Sequence, residues 1–158
     1  MNDRVEEQIR LWLSEKTDVS VAHDMQLVRT PSGKFNDSFF VSTERGEYVL
    51  RIAPPDKTVF LFYERHMMRQ EPGLHAILRE RTSVPVAEIV AFDASREVMG
   101  RDCILMERLP GRPISERPPP DMNRVLRQIG DYLAAAHAIT ADAYGYLGEH
   151  RPMAPQDT

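Results

Sequence analysis

The chain has 158 residues, of which 42% are hydrophobic and 28% charged, enough for one ordinary domain or a large piece of a bigger one. Its 20 basic and 24 acidic residues leave no positive excess of the kind that binds nucleic acid. No apolar run approaches the ~20 residues needed to cross a bilayer, and the acid-containing start MNDRVEEQIRLWLSEK is not a signal peptide. We therefore expect a cytoplasmic protein whose partners include neither nucleic acid nor a membrane.

The first predicted element is an amphipathic helix near the N-terminus. Its apolar residues recur at helical spacing on one face, which favours packing against a core; they are Val5, Ile9, Trp12 and Leu13. The alternative, a helix lying on a membrane surface, is disfavoured by the acidic residues Glu6, Glu7 and Glu15 in the same stretch.

Clusters of apolar and aromatic residues separated by turn signals then predict five strands and a helix. The predicted strands are 25–30, 37–43, 47–53, 87–93 and 102–107, with a helix at 60–80. The pair Pro72-Gly73 is expected to kink or divide that helix. Cys103, the only cysteine, lies in the last strand and is expected to be a buried thiol.

The clearest predicted element is a helix that begins after the capping residue Asp121 and ends near Thr140. Its apolar residues form one continuous face, made of Met122, Val125, Leu126, Ile129, Leu133 and Ala136. The order is therefore helix, three strands, helix, two strands, linker and helix. This order predicts an α+β fold with a five-stranded antiparallel sheet.

The first candidate for chemistry is the predicted hairpin tip from Thr30 to Ser38. Its glycine and small polar residues would let backbone N–H groups approach a phosphate. The segment is not a Walker loop, because the pattern G-x-x-x-x-G-K-[ST] does not occur. Taken alone, the segment is more typical of a plain surface hairpin.

The second candidate is Arg51, a charged residue inside the apolar run YVLRIA. One interpretation is that its side chain simply points to solvent from a two-sided strand. The other is that it lies on a cleft face, held by Glu71 or by the competing Glu64 in the next helix. An arginine so held presents a fork of donors suited to phosphate oxygens.

The third candidate is the run CILMERLPGRPI, in which an apolar strand ends abruptly at Glu107 to Gly111. Main-chain groups at such a strand exit would be available to the edge of a flat heterocycle such as adenine. The alternative is an ordinary polar exit from a strand into a loop.

Six motifs in order now carry a family resemblance: GKFNDSFFV, YVLRI, RQE-x4-AIL, VPVAEIV, ILMERLPGRPI and LAAAHAI. The succession resembles the aminoglycoside-phosphotransferase and choline-kinase branch of the protein-kinase-like fold, from about Met25 to Gly148. The resemblance implies a nucleotide-binding N-lobe over residues 1–108, followed by a hinge and the first part of a C-lobe over 109–158.

The resemblance also implies the site residues. Gly33, Asn36 and Ser38 match the loop over the phosphates, Arg51 and Glu71 the strand cation and its helix partner, and Glu107 and Leu109 the adenine-binding hinge. Arg51 stands where the family usually has lysine, and Pro72 directly after Glu71 is expected to disturb the helix there. His137 matches a packing residue in the first C-lobe helix.

The family's catalytic loop, H-G-D-x4-N, does not occur in these residues, and neither does its later metal-binding aspartate. The five histidines have no metal-ligand spacing. We therefore expect the ATP-binding part of a kinase acting on a small-molecule hydroxyl, inactive alone, with Mg²⁺ ligands beyond residue 158. The alternative is a non-catalytic nucleotide- or partner-binding pseudokinase module, with self-association through the exposed face of helix 121–140.

Overall fold

The computed structural model describes residues 3–19, 25–30, 35–56, 66–112 and 114–141. The elements are α1 (Asp3–Lys16), β1 (Gln26–Arg29), β2 (Asp37–Thr43), β3 (Gly46–Ile52), a 3-10 turn (Met67–Gln70), α2 (Glu71–Arg81), β4 (Ile89–Asp93), β5 (Cys103–Glu107) and α3 (Met122–His137). The predicted α+β order is confirmed. None of these helices is long and apolar enough to cross a membrane.

The chain divides into two compact units. The first contains Met1–Pro72 and Ala87–Arg108, and the second contains Gly73–Val86 and Leu109–Thr158. The whole sheet and α1 therefore belong to the first unit, whereas α3 and most of α2 belong to the second.

The sheet has five antiparallel strands in the order β1-β2-β3-β5-β4. Its register places Ser38 of β2 opposite Arg51 of β3, and Arg51 opposite Ile104 of β5. Residues directly opposite each other in neighbouring strands point to the same face of a sheet. The position of Arg51 therefore fixes which face can carry a polar site.

One face of the sheet is closed by α1. The side chains of Ile9, Trp12 and Leu13 have no exposed surface, as the helical spacing predicted. They form a core cluster with residues from four strands or their flanks, including Phe39, Val41, Leu50, Ile52, Cys103 and Leu105. The Trp12 indole also donates a 2.8 Å hydrogen bond to the Asp93 carboxylate. Hydrophobic burial and one buried polar contact thus attach α1 to the sheet.

Cys103 is the buried thiol that the sequence predicts. Its side chain is fully buried on the α1 face, and burial raises the pKa of the thiol to about 12. A thiol with so high a pKa is almost wholly protonated at neutral pH, so Cys103 is a packing residue.

The opposite face of the sheet has a smaller apolar cluster. Its buried members are Met68, Ala87, Ile104 and Met106, with Val49, Ala53, Ile89 and Phe92 packed around them. Alternation along β5 sends Ile104 and Met106 to this face and Cys103 and Leu105 to the α1 face. This second face also carries Arg51.

Of the helix predicted at 60–80, residues 60–65 lie outside the described part of the chain, and the remainder differs in detail from the prediction. The 3-10 turn ends at Gln70 and α2 begins at Glu71, so Pro72 stands in the first helical turn. Proline is tolerated there because the first N–H groups of a helix have no intrahelical acceptor. The division predicted at Pro72-Gly73 therefore falls just before Pro72, between Gln70 and Glu71, and α2 continues from there to Arg81.

In the second unit, α3 begins as predicted. The Asp121 side chain caps it by accepting a 2.9 Å hydrogen bond from the Arg124 N–H. No residue of α3 is buried, and Leu126 and Leu133 are each more than half exposed, at 57% and 53%. The predicted apolar stripe is therefore present on an exposed helix.

Candidate functional site

The centre of the candidate site is the ion pair between Arg51 and Glu71. The Arg51 Nη1 atom lies 2.5 Å from Glu71 Oε2, and the two side chains are only 29% and 20% exposed. Arg51 therefore does not simply point to solvent from its strand. Glu64, the competing partner considered from the sequence, lies outside the described residues.

Asn36 joins this pair from the segment before β2. With the amide oxygen of Asn36 facing the guanidinium, it accepts from Arg51 Nη2 at 2.5 Å and from Nε at 3.3 Å. One edge of the guanidinium thus meets Asn36 while Nη1 meets Glu71. A lysine ammonium carries all its donors on one nitrogen and would not reproduce this two-sided contact. Arginine at position 51 fits the arrangement for that reason.

The remaining loop residues are placed only in part. Ser38 lies in β2 directly opposite Arg51, and its carbonyl accepts a 2.9 Å hydrogen bond from the Thr30 N–H. Gly33 lies outside the described residues. Asn36, Ser38, Arg51 and Glu71 are therefore the predicted residues that the structure brings together.

Asp37, between Asn36 and Ser38, anchors this loop end. Its carboxylate accepts a 2.8 Å hydrogen bond from Arg101 Nη1 and pairs with Arg29. Burial alone would raise the pKa of Asp37, but the hydrogen bond and charge of Arg101, with help from Arg29, hold the pKa below its usual value. Arg101 also donates to the Ala53 carbonyl at 3.1 Å, so the loop end is tied to the end of β3.

A buried carboxylate, Asp102, fixes the turn that precedes Glu71. Its side chain is only 1% exposed and accepts from Arg69 Nε at 2.8 Å and from Arg96 Nε at 2.6 Å. Burial would raise the pKa of Asp102, but the hydrogen bonds and charges of Arg69 and Arg96 lower it, so the group stays ionised. Because Arg69 lies two residues before Glu71, Asp102 holds the start of α2 beside β3.

Arg96 extends this network to Asp56, four residues after the end of β3. It donates to both carboxylate oxygens of Asp56, at 3.1 and 3.0 Å, and its backbone is left-handed, with φ of 63°. The network thus holds both flanks of the connection from β3 to α2. Sequence reasoning missed Asp102, Arg69 and Arg96; the only signal was an acid directly before the apolar run CILM.

The exit of β5 has an irregular hydrogen-bond pattern. The Arg108 N–H donates to the Glu47 carbonyl at 3.0 Å, so the peptide groups of Glu107 face away from β3. The Glu107 N–H donates to the Glu88 carbonyl at 2.9 Å. The Glu88 N–H donates at 3.0 Å to the Glu107 side chain. Within the described part of the chain, no hydrogen bond occupies the Glu107 carbonyl.

The neighbouring residues of the predicted hinge belong to different units. Arg108, at the end of the first unit, stacks 3.9 Å from the Phe40 ring centroid and pairs with Glu47 at 3.0 Å. Leu109 is the first residue of the second unit and is 48% exposed. The nucleotide roles of Glu107 and Leu109 stay predictions.

The described ranges contain no cluster of three or more His, Cys, Asp or Glu side chains that could hold a metal ion. The described part of the site instead consists of hydrogen-bonding groups. It has a cation fixed between a loop and a helix, and a carbonyl available at a strand end. Such a surface suits an anionic ligand with a planar, hydrogen-bonding portion.

Three features define the class of fold: the sheet order, the helix inserted after β3 and the ion pair between strand and helix. They form the N-terminal lobe of a protein-kinase-like fold, with an additional N-terminal helix. Residues 27–158 match the phosphotransferase enzyme family, and the chain belongs to that family. No curated protein matches the chain at a significant level.

Two solved structures are similar to this chain. A microcompartment-associated aminopropanol kinase is 18% identical with a TM-score of 0.60, over 92% of this chain and 44% of the kinase. A protein from Ralstonia eutropha JMP134, named as an aminoglycoside phosphotransferase, is 23% identical with a TM-score of 0.47, over 68% of this chain and 28% of its own. The chain therefore spans less than half of either structure, and at 18% identity the likeness to the aminopropanol kinase shows the fold alone.

Proposed function

We propose that this chain is the ATP-binding portion of a cytoplasmic kinase that transfers the γ-phosphoryl group of ATP to a hydroxyl of a small molecule. The observation that carries the proposal is the Arg51–Glu71 ion pair, bridged to the loop by Asn36. Membership of the phosphotransferase enzyme family supports the same reaction class.

Arg51 would supply positive charge to the phosphates of ATP, while Glu71 fixes its position. Phosphoryl transfer depends mainly on positioning and on neutralising charge, so a cation held on a rigid strand suits that task. The backbone around Gly33 and Ser38 would lie over the phosphates. The Glu107 carbonyl and Leu109 N–H would hold the edge of adenine.

The proposed kinase also needs a base and Mg²⁺ ligands. The pattern H-G-D-x4-N is absent from the sequence, so we propose that these groups come from sequence outside this chain. Mg²⁺ would neutralise phosphate charge when bound with ATP. On this proposal the chain alone binds nucleotide weakly and transfers nothing.

The absence of that motif also favours a second candidate, a non-catalytic module that binds nucleotide or a protein partner. A catalysis assay on the whole gene product separates the two candidates. ADP formation that depends on an added hydroxyl compound, such as an amino alcohol or an aminoglycoside, supports the kinase. Nucleotide binding without such turnover supports the module.

Sedimentation over a range of concentrations tests the predicted self-association through the α3 face.

The nucleotide site is tested by calorimetric titration of MgATP into wild type and Arg51→Ala. Removing a charge-assisted contact should weaken ATP binding roughly 10- to 100-fold. Arg45→Ala is the matched control, because Arg45 is an exposed residue of the β2–β3 turn whose guanidinium donates to the Asp18 carbonyl. The affinity of this variant should equal that of wild type.

Two outcomes would count against the proposal to different extents. If the wild-type gene product shows no heat of ATP binding, the nucleotide site itself is refuted. If wild type binds ATP and Arg51→Ala binds equally well, only the role of Arg51 is refuted.

A further inference from the structure

We propose that the Glu107 side chain is a positioning residue that keeps its own backbone carbonyl available to the amino group of adenine. The proposal rests on the proposed nucleotide site. It adds a residue that sets the preference of that site for a 6-aminopurine.

The evidence is a missing bond in the sheet ladder. Ile89 lies opposite Met106, so Glu88 is the residue opposite Glu107. The Glu107 N–H donates to the Glu88 carbonyl at 2.9 Å, which marks the two residues as a hydrogen-bonded pair. In a regular antiparallel pair of this kind, the Glu88 N–H would return a bond to the Glu107 carbonyl.

That return bond goes to the side chain instead. The Glu88 N–H donates to Glu107 Oε1 at 3.0 Å, so the carboxylate takes the place of the carbonyl as acceptor. The carbonyl and the N–H of Glu88 are thus both hydrogen-bonded, while the Glu107 carbonyl keeps its acceptor capacity. A carboxylate is also the stronger acceptor, which favours this exchange.

The position of the carbonyl selects the ligand group. It lies at the end of β5, one residue beyond Met106 of the second apolar cluster. A flat ring beside this cluster would find one hydrogen-bond acceptor at its edge, and an acceptor requires a donor on the ligand. Adenine carries an exocyclic amino group, whereas a purine without this group offers no donor there.

Replacing the side chain should reverse the exchange. In Glu107→Ala the Glu88 N–H has the Glu107 carbonyl as its nearest acceptor, so the ligand's amino group must share that oxygen. In Glu107→Gln the side-chain amide oxygen still accepts from Glu88. The alanine variant should therefore lose preference for the amino group, and the glutamine variant should keep it.

The experiment compares the affinities of ATP and of purine riboside triphosphate, which lacks the 6-amino group, by calorimetry on the whole gene product. Wild type and Glu107→Gln should bind ATP more tightly than the analogue by about 2- to 10-fold, the worth of one neutral hydrogen bond. Glu107→Ala should bind ATP more weakly and the analogue as wild type does. Glu44→Ala, an exposed turn residue, controls for the lost charge.

A purely structural role for Glu107 would weaken both ligands equally in Glu107→Ala, and that result overturns the proposal. The proposal is also overturned, without any variant, if wild type binds the analogue as tightly as ATP. Both of these results leave the nucleotide site intact. If wild type binds neither ligand, the proposed function fails and this inference fails with it.

Discussion

The helix α1 and the first residue of α2 are attached to the sheet by different forces. Three α1 side chains, Ile9, Trp12 and Leu13, are completely buried against one face. No residue of α2 is buried, and its start is held on the other face by the pairs Glu71–Arg51 and Arg69–Asp102. Apolar burial is insensitive to ligand charge, whereas ion pairs respond to nearby charge and salt. The face that would meet an anion is thus the face held by charges.

The largest effect is expected on the α1 side. Trp12→Ala should lower the free energy of unfolding by about 3–5 kcal/mol, because it removes a buried aromatic side chain and leaves a cavity. It also removes a hydrogen bond from the buried Asp93 carboxylate. Urea denaturation measures the change. Leu11→Ala, at an α1 position that is 48% exposed, is the control and should stay within about 0.5 kcal/mol of wild type. A Trp12→Ala loss no larger than the control's would contradict the packing described for α1.

The second effect is expected at Asp102. Asp102→Asn should cost about 2–3 kcal/mol, less than the full cost of breaking a buried pair, because Arg69 and Arg96 keep some access to solvent. Asp56→Asn removes the exposed partner of Arg96 and should cost less than ~0.5 kcal/mol. Equal losses in the two variants, measured by urea denaturation, would show that burial of Asp102 is unimportant.

The same residue predicts a pH dependence. The pKa of Asp102 is lower in the folded protein than in the unfolded chain, so its stabilisation is complete above the unfolded value, about 4. It is lost as the pH falls from there through the folded value. The gap in unfolding free energy between wild type and Asp102→Asn should therefore be largest at pH 7 and shrink by pH 3. A gap that stays constant over this range would contradict the assignment.

A smaller effect on stability than that of Asp102→Asn is expected at Arg51. Its pair with Glu71 is partly exposed, so Arg51→Ala should cost at most about 1 kcal/mol.

The reaction of the buried Cys103 with a thiol reagent reports opening of the α1 face. Labelling should accelerate in Trp12→Ala and stay at the wild-type rate in Arg51→Ala. Equal acceleration in both variants would mean that the two attachments are not independent.

The sequence predicted the α1 side of this comparison well. Spacing alone identified the buried face of α1, because burial on a helix follows a period of 3.6 residues. Apolar and aromatic clusters between turn signals located the strands to within two residues of their observed ends, and the capping rule found Asp121. These features depend on neighbours along the chain, which a sequence displays directly.

The charged side is predicted from the sequence only in part. Reasoning from the residues offers Glu71 and Glu64 as partners of Arg51, and the family resemblance favours Glu71. Asp102 and Arg69, by contrast, are 33 residues apart and share no periodic pattern. The sequence predicts that Pro72 disturbs the helix. The effect of a proline depends on where the helix starts, however, and tertiary contacts set the start of α2. Partner choice among many arginines and acids follows from the folded arrangement.

The place of Glu71 at the very start of α2 has a consequence for any exchange of partners at Arg51. The N-terminus of a helix carries a partial positive charge that stabilises a nearby carboxylate by about 0.3–1 kcal/mol. If the guanidinium of Arg51 turned toward a phosphate, Glu71 would keep this second source of positive potential. The positive potential at the start of α2 therefore lowers the electrostatic cost of turning the Arg51 guanidinium from Glu71 toward a phosphate.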